Sequence, residues 1–321
     1  METRKIADLE VSIVGLGCNN FGMRCDEEQS AAVVHAALDS GINFFDTADV
    51  YSYGVSETFL GKALSSNRRD VFIATKFGNP MQERDDDGGW KPIEGTGGAS
   101  KGWITSAVED SLRRLQTDHI DLYQLHIPAG DVPIDETIEA LDSLVKDGKI
   151  RAFGCSNFPA DLIDEATQIA ADNNWARFES SQDHWSLLAR AVEESVVPSI
   201  ERNGLKEIPY FPLASGMLTG KYTKGEEPPE GTRLSKVPQE RRGALMSDGN
   251  FVIVSKLQAY AEEHGHTLLE LAISWLASQD VVGSVIAGAT KPEQVKDNAT
   301  AAGWKMTAQE ISEVAEIATQ D

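Results

Sequence analysis

Four titratable residues of four different kinds stand at or just past the ends of short apolar runs in the first 130 residues. Asp46 closes Ile42-Asn43-Phe44-Phe45, and Tyr51 follows five residues later. Lys76 closes Val71-Phe72-Ile73-Ala74-Thr75, and His126 closes Ile120-Asp121-Leu122-Tyr123-Gln124-Leu125. Singly, most of them have a plain explanation. An aspartate after a strand caps a turn, a tyrosine packs its ring and wets its hydroxyl, and a histidine there is a satisfied core residue. Lys76 resists that treatment, because a lysine placed after Phe-Ile-Ala-Thr is partly buried and needs a partner. If the three runs are neighbouring strands, their tips converge on one small mouth. The four side chains together then suit acid–base and electrostatic catalysis better than coincidence.

Such convergence requires a particular architecture. Strand candidates are Val11–Gly17, Ile42–Ala48, Val71–Phe77, Ile120–His126, Ile150–Ser156, Arg177–Gln182, Glu207–Leu213 and Ser284–Ala289. Several are almost continuously apolar, as strands covered on both faces are. Amphipathic stretches at Gln29–Ser40, Lys101–Gln116, Asp135–Asp147, Ala160–Asp172 and Glu293–Ala302 lie between them. Eight strands alternating with helices, without an intervening linker, predict one closed parallel (β/α)8 TIM barrel over residues 1–321. Gly78–Ser100, rich in Gly and Asp, and Thr223–Asn250, with Pro228, Pro229, Gly231 and Pro238, follow strand candidates. Both are expected at the C-terminal rim, where barrels build active sites. A doubly wound dinucleotide fold is rejected. Gly15-Leu16-Gly17 opens like a G-x-G-x-x-G turn, but Asn20 takes the third glycine's place and no clear helix follows.

Composition narrows the functions. The 321 residues carry a net charge of −22, which disfavours nucleic acid and anionic membrane surfaces. No run of 18 apolar residues exists to span a bilayer. Met1 to Glu10 lacks a hydrophobic signal core, so a cytoplasmic location is expected. Cys18, Cys25 and Cys155 form an odd, scattered set and read as reduced thiols. His264 and His266 read as a surface turn, and no metal site is expected.

The stretch Asp46-Thr47-Ala48-Asp49-Val50-Tyr51 with Gly54-Val55-Ser56-Glu57, then Ala74-Thr75-Lys76, then Leu122-Tyr123-Gln124-Leu125-His126, resembles the aldo-keto reductase superfamily. So do Gly154-Cys155-Ser156-Asn157-Phe158, Gln182 with Trp185-Ser186-Leu187-Leu188, the run Pro212 to Tyr222, and Ile286-Ala287-Gly288-Ala289-Thr290 with Pro292-Glu293-Gln294 and Asn298. These motifs keep their order over nearly the whole chain. The resemblance implies a (β/α)8 barrel that binds NADP(H) without a Rossmann domain and reduces a small-molecule aldehyde or ketone. It assigns Asp46, Tyr51, Lys76 and His126 as the catalytic set, with Tyr51 as general acid. The physical chemistry is consistent with that assignment. A phenol holds its proton tightly (pKa ~10), and the Lys76 ammonium favours the phenolate. Asp46 keeps the ammonium charged and oriented, and His126 polarises the carbonyl.

The same resemblance implies a cofactor cleft. Ser156, Asn157 and Gln182 are expected on the nicotinamide carboxamide, and Tyr210 on its ring. Phe211, Leu213, Ser215 and Gly216 are expected along the pyrophosphate. Asn19, Lys221, Arg233, Gly288, Thr290, Lys291, Gln294 and Asn298 complete the predicted contacts, with Thr290 as N-cap of a helix whose free N–H groups favour an anion. Two features depart from the family. Ala287 stands where many relatives have proline, and no cation occupies Gly288 or Gln294, where some branches clamp the 2′-phosphate. Lys291, Lys221 and Arg233 remain for that task. A regulatory subunit like the potassium-channel beta subunits, which also resemble this family, is the main alternative, and a barrel lyase or isomerase without nicotinamide a third. Substrate choice is expected to lie with the two rim segments and with residues near Asn20, Tyr53 and Trp103.

Overall fold

In the computed structural model, which describes residues 1–84 and 90–319, two short antiparallel strands come first, β1 (Thr3–Ile6) and β2 (Leu9–Ser12). The predicted strand Val11–Gly17 is therefore two strands. The chain turns at Ile13, and only β3 (Val14–Gly17) enters the main sheet. β4 (Phe44–Asp46), β5 (Phe72–Phe77), β8 (Ile120–Leu125), β9 (Ile150–Ser156), β10 (Phe178–Gln182), β11 (Lys206–Glu207) and β12 (Val285–Gly288) join it. The order is β11-β10-β9-β8-β5-β4-β3-β12, parallel throughout. Parallel bridges Glu207↔Val282 and Tyr210↔Ile286 bring the two ends together, with Ile286 N donating to Pro209 O at 3.0 Å. The sheet is thus a closed eight-stranded barrel. In place of the predicted strand Glu207–Leu213 there is the two-residue β11, followed by isolated bridges from Tyr210 to His184 and Ile286, because Pro209 and Pro212 have no N–H for a ladder.

Helices α1 (Glu27–Asp39), α2 (Val55–Leu64), α3 (Lys101–Leu115), α4 (Ile134–Lys146), α5 (Ala160–Asn173) and α6 (Val196–Asn203) cover the outside. They are followed by α7 (Gln239–Arg242), α8 (Asp248–Glu263), α9 (Leu268–Ala277), α10 (Pro292–Ala301) and α11 (Ala308–Thr319). Local chemistry fixes their starts. Asp26 with Gln29 and Thr267 with Glu270 form reciprocal capping boxes on α1 and α9. α9 reads Leu-Leu-Glu-Leu-Ala-Ile-Ser-Trp-Leu-Ala and is buried on nearly every side, so it lacks the one-sided periodicity that reveals a surface helix. α2 packs on α3 through Gly61, where a Cβ would lie 2.4 Å from the Leu115 carbonyl oxygen.

Period-two alternation along each strand sets the inside of the barrel. Phe44, Ala74, Leu122, Ala152 and Ile286 form an inner layer, joined from below by Ile6, Leu9 and Val11 of the hairpin. The hairpin is tied to the barrel by Arg4, whose guanidinium donates to the carbonyls of Gln279 and Val282 at 2.8 Å. Of the rim segments, Gly78–Ser100 contains a small antiparallel pair, β6 (Gln82–Arg84) with β7 (Trp90–Pro92), and residues 85–89 lie outside the described residues. Thr223–Asn250 carries the short α7 and the start of α8. Among the described residues, no helix is long and apolar enough to cross a membrane. The three cysteines are free and buried.

Candidate active site

Two residues beyond the inner apolar layer, the same alternation brings side chains to the barrel mouth: Asp46 after Phe44, Lys76 after Ala74, Gln124 and His126 after Leu122, and Ser156 four residues past Ala152. Tyr51 arrives separately, on a 3-10 turn (Tyr51–Gly54) that follows β4. That turn is pinned to the barrel. Asp49 N donates to Lys76 O at 3.1 Å, Thr47 N donates to Ala74 O at 2.9 Å, and Ser52 Oγ donates to Phe21 O at 2.8 Å. Ser52, Tyr53 and Gly54 are successively left-handed, with φ of 49°, 60° and 83°. For the two that carry a Cβ this conformation is costly, and such strain gathers where a site dictates the backbone.

The four predicted residues meet. Lys76, fully buried, donates to Asp46 Oδ2 at 2.6 Å, to Thr47 O at 2.9 Å and to the Tyr51 hydroxyl at 3.4 Å. The Tyr51 and His126 rings are 5.9 Å apart and nearly perpendicular. Asp46 accepts from Gln182 Nε2 at 2.9 Å and from Gln124 Nε2 at 3.3 Å on its other oxygen. Burial opposes the Lys76 charge, but Asp46 and Tyr51 outweigh it and hold the ammonium above its ordinary value. Tyr51 departs from expectation. Burial pushes its phenol up further than Lys76 pulls it down, so its net shift is upward. Burial, then Lys76, pushes His126 down to about 3, leaving a neutral imidazole at pH 7.

Beneath the turn is a set that sequence reasoning missed. Glu57 accepts from Thr75 Oγ1 and from Arg114 Nε, both at 2.6 Å. Asp49 is buried beside it, and neither of its carboxyl oxygens has a hydrogen-bond partner. Burial, with Glu57 adding to it, pushes the Asp49 carboxyl up to about 8. The motif containing Asp49 was visible, but nothing in a linear sequence marks a carboxyl as unpaired.

All sixteen residues expected at the cofactor line one cleft of about 1170 Å³, which also takes in Asp46, Tyr51 and His126. Their internal bonding differs in detail from the expectation. Gln182 gives its amide nitrogen to Asp46, and Ser156 Oγ donates to Gln182 O at 2.8 Å. Asn157 donates to Ser156 Oγ at 2.9 Å and accepts from the Tyr210 hydroxyl at 2.8 Å. Thr290 is not the N-cap of α10. Lys291 holds that place, and Thr290 N instead donates to Gln294 Oε1 at 2.8 Å, because Pro292 fixes the first helical residue one position later. Of the residues tied to substrate choice, Asn20 lines the cleft, Tyr53 is exposed on the strained turn, and Trp103 packs from α3 against the core.

The cleft's walls fit a dinucleotide's phosphates. Ala214, Ser215 and Gly216 are left-handed in sequence (φ 44°, 56° and 98°), a tight turn closed by Ala214 N donating to Phe211 O and Gly216 N donating to Leu213 O, with Ser215 and Gly216 lining the cleft. Lys221 lies across it, since a Cβ on Gly216 would be 2.5 Å from its Nζ. Arg233 stacks 4.4 Å from the Phe211 ring centre. Arg24, which sequence reasoning passed over, also lines the cleft and donates to Gly231 O at 3.0 Å. Its place just past β3, at the rim, was the available clue. Burial and then Arg24 pull both Lys221 and Arg233 below their ordinary values. Three cations crowd together in a strongly acidic chain, an arrangement that a polyphosphate anion relieves.

Comparison with known proteins follows this geometry. Residues 13–319 match the model of the aldo/keto reductase family. The aldo-keto reductase YhdN of Bacillus subtilis is 34% identical, covering 98% of this chain and 92% of its own length. A probable voltage-gated potassium channel subunit beta of rice is 33% identical over 87% of this chain and 83% of its own. Among solved structures, the holo form of the aldo-keto reductase AKR11C1 from Bacillus halodurans superposes with a TM-score of 0.80 at 34% identity, covering 99% of this chain and 96% of that one. The glycerol dehydrogenase AKR11B4 of Gluconobacter oxydans gives 0.84 at 31% identity, over 98% and 94%.

Proposed function

The chain belongs to the aldo/keto reductase family, and on that premise we propose that it is an NADP(H)-dependent enzyme reducing aldehyde or ketone carbonyls to alcohols. The observation that carries this reading is the Lys76 ammonium, placed between the Asp46 carboxylate and the Tyr51 hydroxyl at the barrel mouth. The nicotinamide, when bound, supplies the hydride. Everything else falls to the protein.

Tyr51 keeps its proton at neutral pH, because burial holds its pKa up. It delivers that proton to the carbonyl oxygen when negative charge grows there. The resulting phenolate stands beside Lys76, whose positive charge offsets it. Asp46 fixes the ammonium's position and charge. His126 is neutral and therefore cannot compete as the acid, but its ring N–H can donate to the carbonyl oxygen and hold it against Tyr51. Ser156, Asn157, Gln182 and Tyr210 orient the nicotinamide end. Asn19, Phe211, Leu213, Ser215, Gly216, Lys221, Arg233, Gly288, Thr290, Lys291, Gln294 and Asn298 hold the remainder. The cation group at Lys221, Arg233 and Arg24 supports a phosphate-rich cofactor, and NADP(H) over NAD(H).

Turnover of a simple aldehyde, followed by NADPH absorbance, tests the proposal. Tyr51→Phe is expected to lower kcat by about 10²–10⁴-fold with NADPH affinity nearly intact. Activity within tenfold of wild type would remove Tyr51 from the acid role. A tighter dissociation constant for NADH than for NADPH would overturn the cofactor preference.

A further inference from the structure

The ring proposed to meet the nicotinamide is itself held from behind. Tyr210 lies between Pro209 and the left-handed Phe211 (φ 54°), on a stretch held by isolated bridges to His184 and Ile286 instead of a ladder. Such a backbone does not by itself fix a side chain that has to present one flat face. Three contacts supply the missing constraint. The Tyr210 hydroxyl donates to Asn157 Oδ1 at 2.8 Å. The Phe211 ring meets Tyr210 edge-on, 5.2 Å between centres at 80°. The His184 imidazole lies almost parallel to Tyr210, 5.4 Å between centres at 13°, and Phe211 abuts His184 as well, 5.8 Å at 90°.

His184 is two residues past Gln182, on the backbone that pairs with Tyr210. Tyr210 lines the cleft, whereas His184 is exposed and is not among the residues lining it. Among the described residues its side chain makes ring contacts and no hydrogen bond or ion pair. A structural histidine ordinarily uses its nitrogens; this one uses its face. Burial lowers its pKa, so the neutral ring predominates against Tyr210 at pH 7.

We propose that His184 is a positioning residue for the nicotinamide, backing Tyr210 so that the tyrosine face is already set when the cofactor arrives. The inference rests on the reading above, in which Tyr210 stacks on that ring. An aromatic ring restrained before binding loses less freedom on binding, and the gain appears as affinity for the group it touches.

The test compares wild type, His184→Ala and His184→Phe by fluorescence titration with three ligands. NADPH and NADP⁺ carry the nicotinamide, and 2′-phosphoadenosine diphosphate ribose lacks it. Loss of one aromatic pair should weaken NADPH and NADP⁺ about fivefold in His184→Ala, with KM for NADPH rising more than kcat falls. His184→Phe, which keeps a flat ring without nitrogens, should stay within about twofold of wild type. Binding of the nicotinamide-free ligand should be equal in all three proteins. The proposal is overturned if His184→Ala binds NADPH like wild type, if it loses the nicotinamide-free ligand equally, or if His184→Phe is as weak as His184→Ala. If wild type itself binds neither dinucleotide, the reductase reading falls first. If wild type binds and His184→Ala is unchanged, only the role of His184 falls.

Discussion

Asp49→Asn should stabilise the protein, and by an amount that grows with pH. The carboxyl is buried with no hydrogen-bond partner and ionises near pH 8 in the fold, against 3.8 for an ordinary aspartate. Between those values the folded chain keeps a proton that the unfolded chain releases. Stability therefore falls as pH rises through the window, by up to about 1.4 kcal/mol for each pH unit. The ceiling at pH 8 is about 6 kcal/mol, and relaxation around a real buried charge lowers it to about 2 kcal/mol. Asparagine has nearly the same shape and cannot ionise, so it removes the penalty. For a chain of 321 residues the gain corresponds to a Tm higher by about 3 °C at pH 8, shrinking toward zero near pH 4. Thermal unfolding of both proteins at several pH values between 4 and 8.5 measures it. A Tm difference independent of pH, or a variant less stable throughout, would refute the account of Asp49 as an uncompensated acid.

Other perturbations follow from the same geometry. Lys76→Met strands a buried Asp46, so it should cost about 3–5 kcal/mol of stability, and the surviving activity should have a flattened alkaline limb; an unchanged pH profile would argue against electrostatic tuning of Tyr51. His126 is neutral well below pH 5, so kcat should show no inflection from it between pH 5 and 8, and an imidazole NMR titration near 6.5 would contradict this. Lys221→Ala should weaken NADPH about tenfold at low ionic strength, with the deficit narrowing in high salt as screening grows; equal affinities at low salt would remove Lys221 from the phosphate cradle. Gly61→Ala forces a methyl against the Leu115 carbonyl and should cost about 2–3 kcal/mol, read as a lower denaturation midpoint.

The barrel and its mouth were legible because strand periodicity is a local property. Phe44 and Asp46, Ala74 and Lys76, and Leu122 and His126 keep step by twos, so the apolar layer predicts where the polar residues emerge. Gln124 obeys the same rule and escaped notice only because a glutamine carries no titratable signal. What stayed hidden depended on partners distant in sequence. The turn at Ile13 is decided by β2 pairing with β1, and the position of Lys291 by the proline that follows it. The Tyr51 shift runs opposite to what its motif implies, because a neighbouring ammonium can be read from a motif, whereas the extent of desolvation cannot. α9 offered no amphipathic stripe because nearly every side of it finds protein.

The amino-terminal hairpin lies across the axis opposite the mouth, with Ile6, Leu9 and Val11 wedged beneath the strands and Arg4 bonded to the carbonyls of Gln279 and Val282 in the loop before β12. An apolar floor of this kind hinders proton traffic from that end. If Tyr51 gives up its proton as proposed, a floor packed with Ile6, Leu9 and Val11 favours return of that proton from the mouth. Residues 3 to 12, which lie at the end of the molecule away from the chemistry, would in this way help dictate its rhythm.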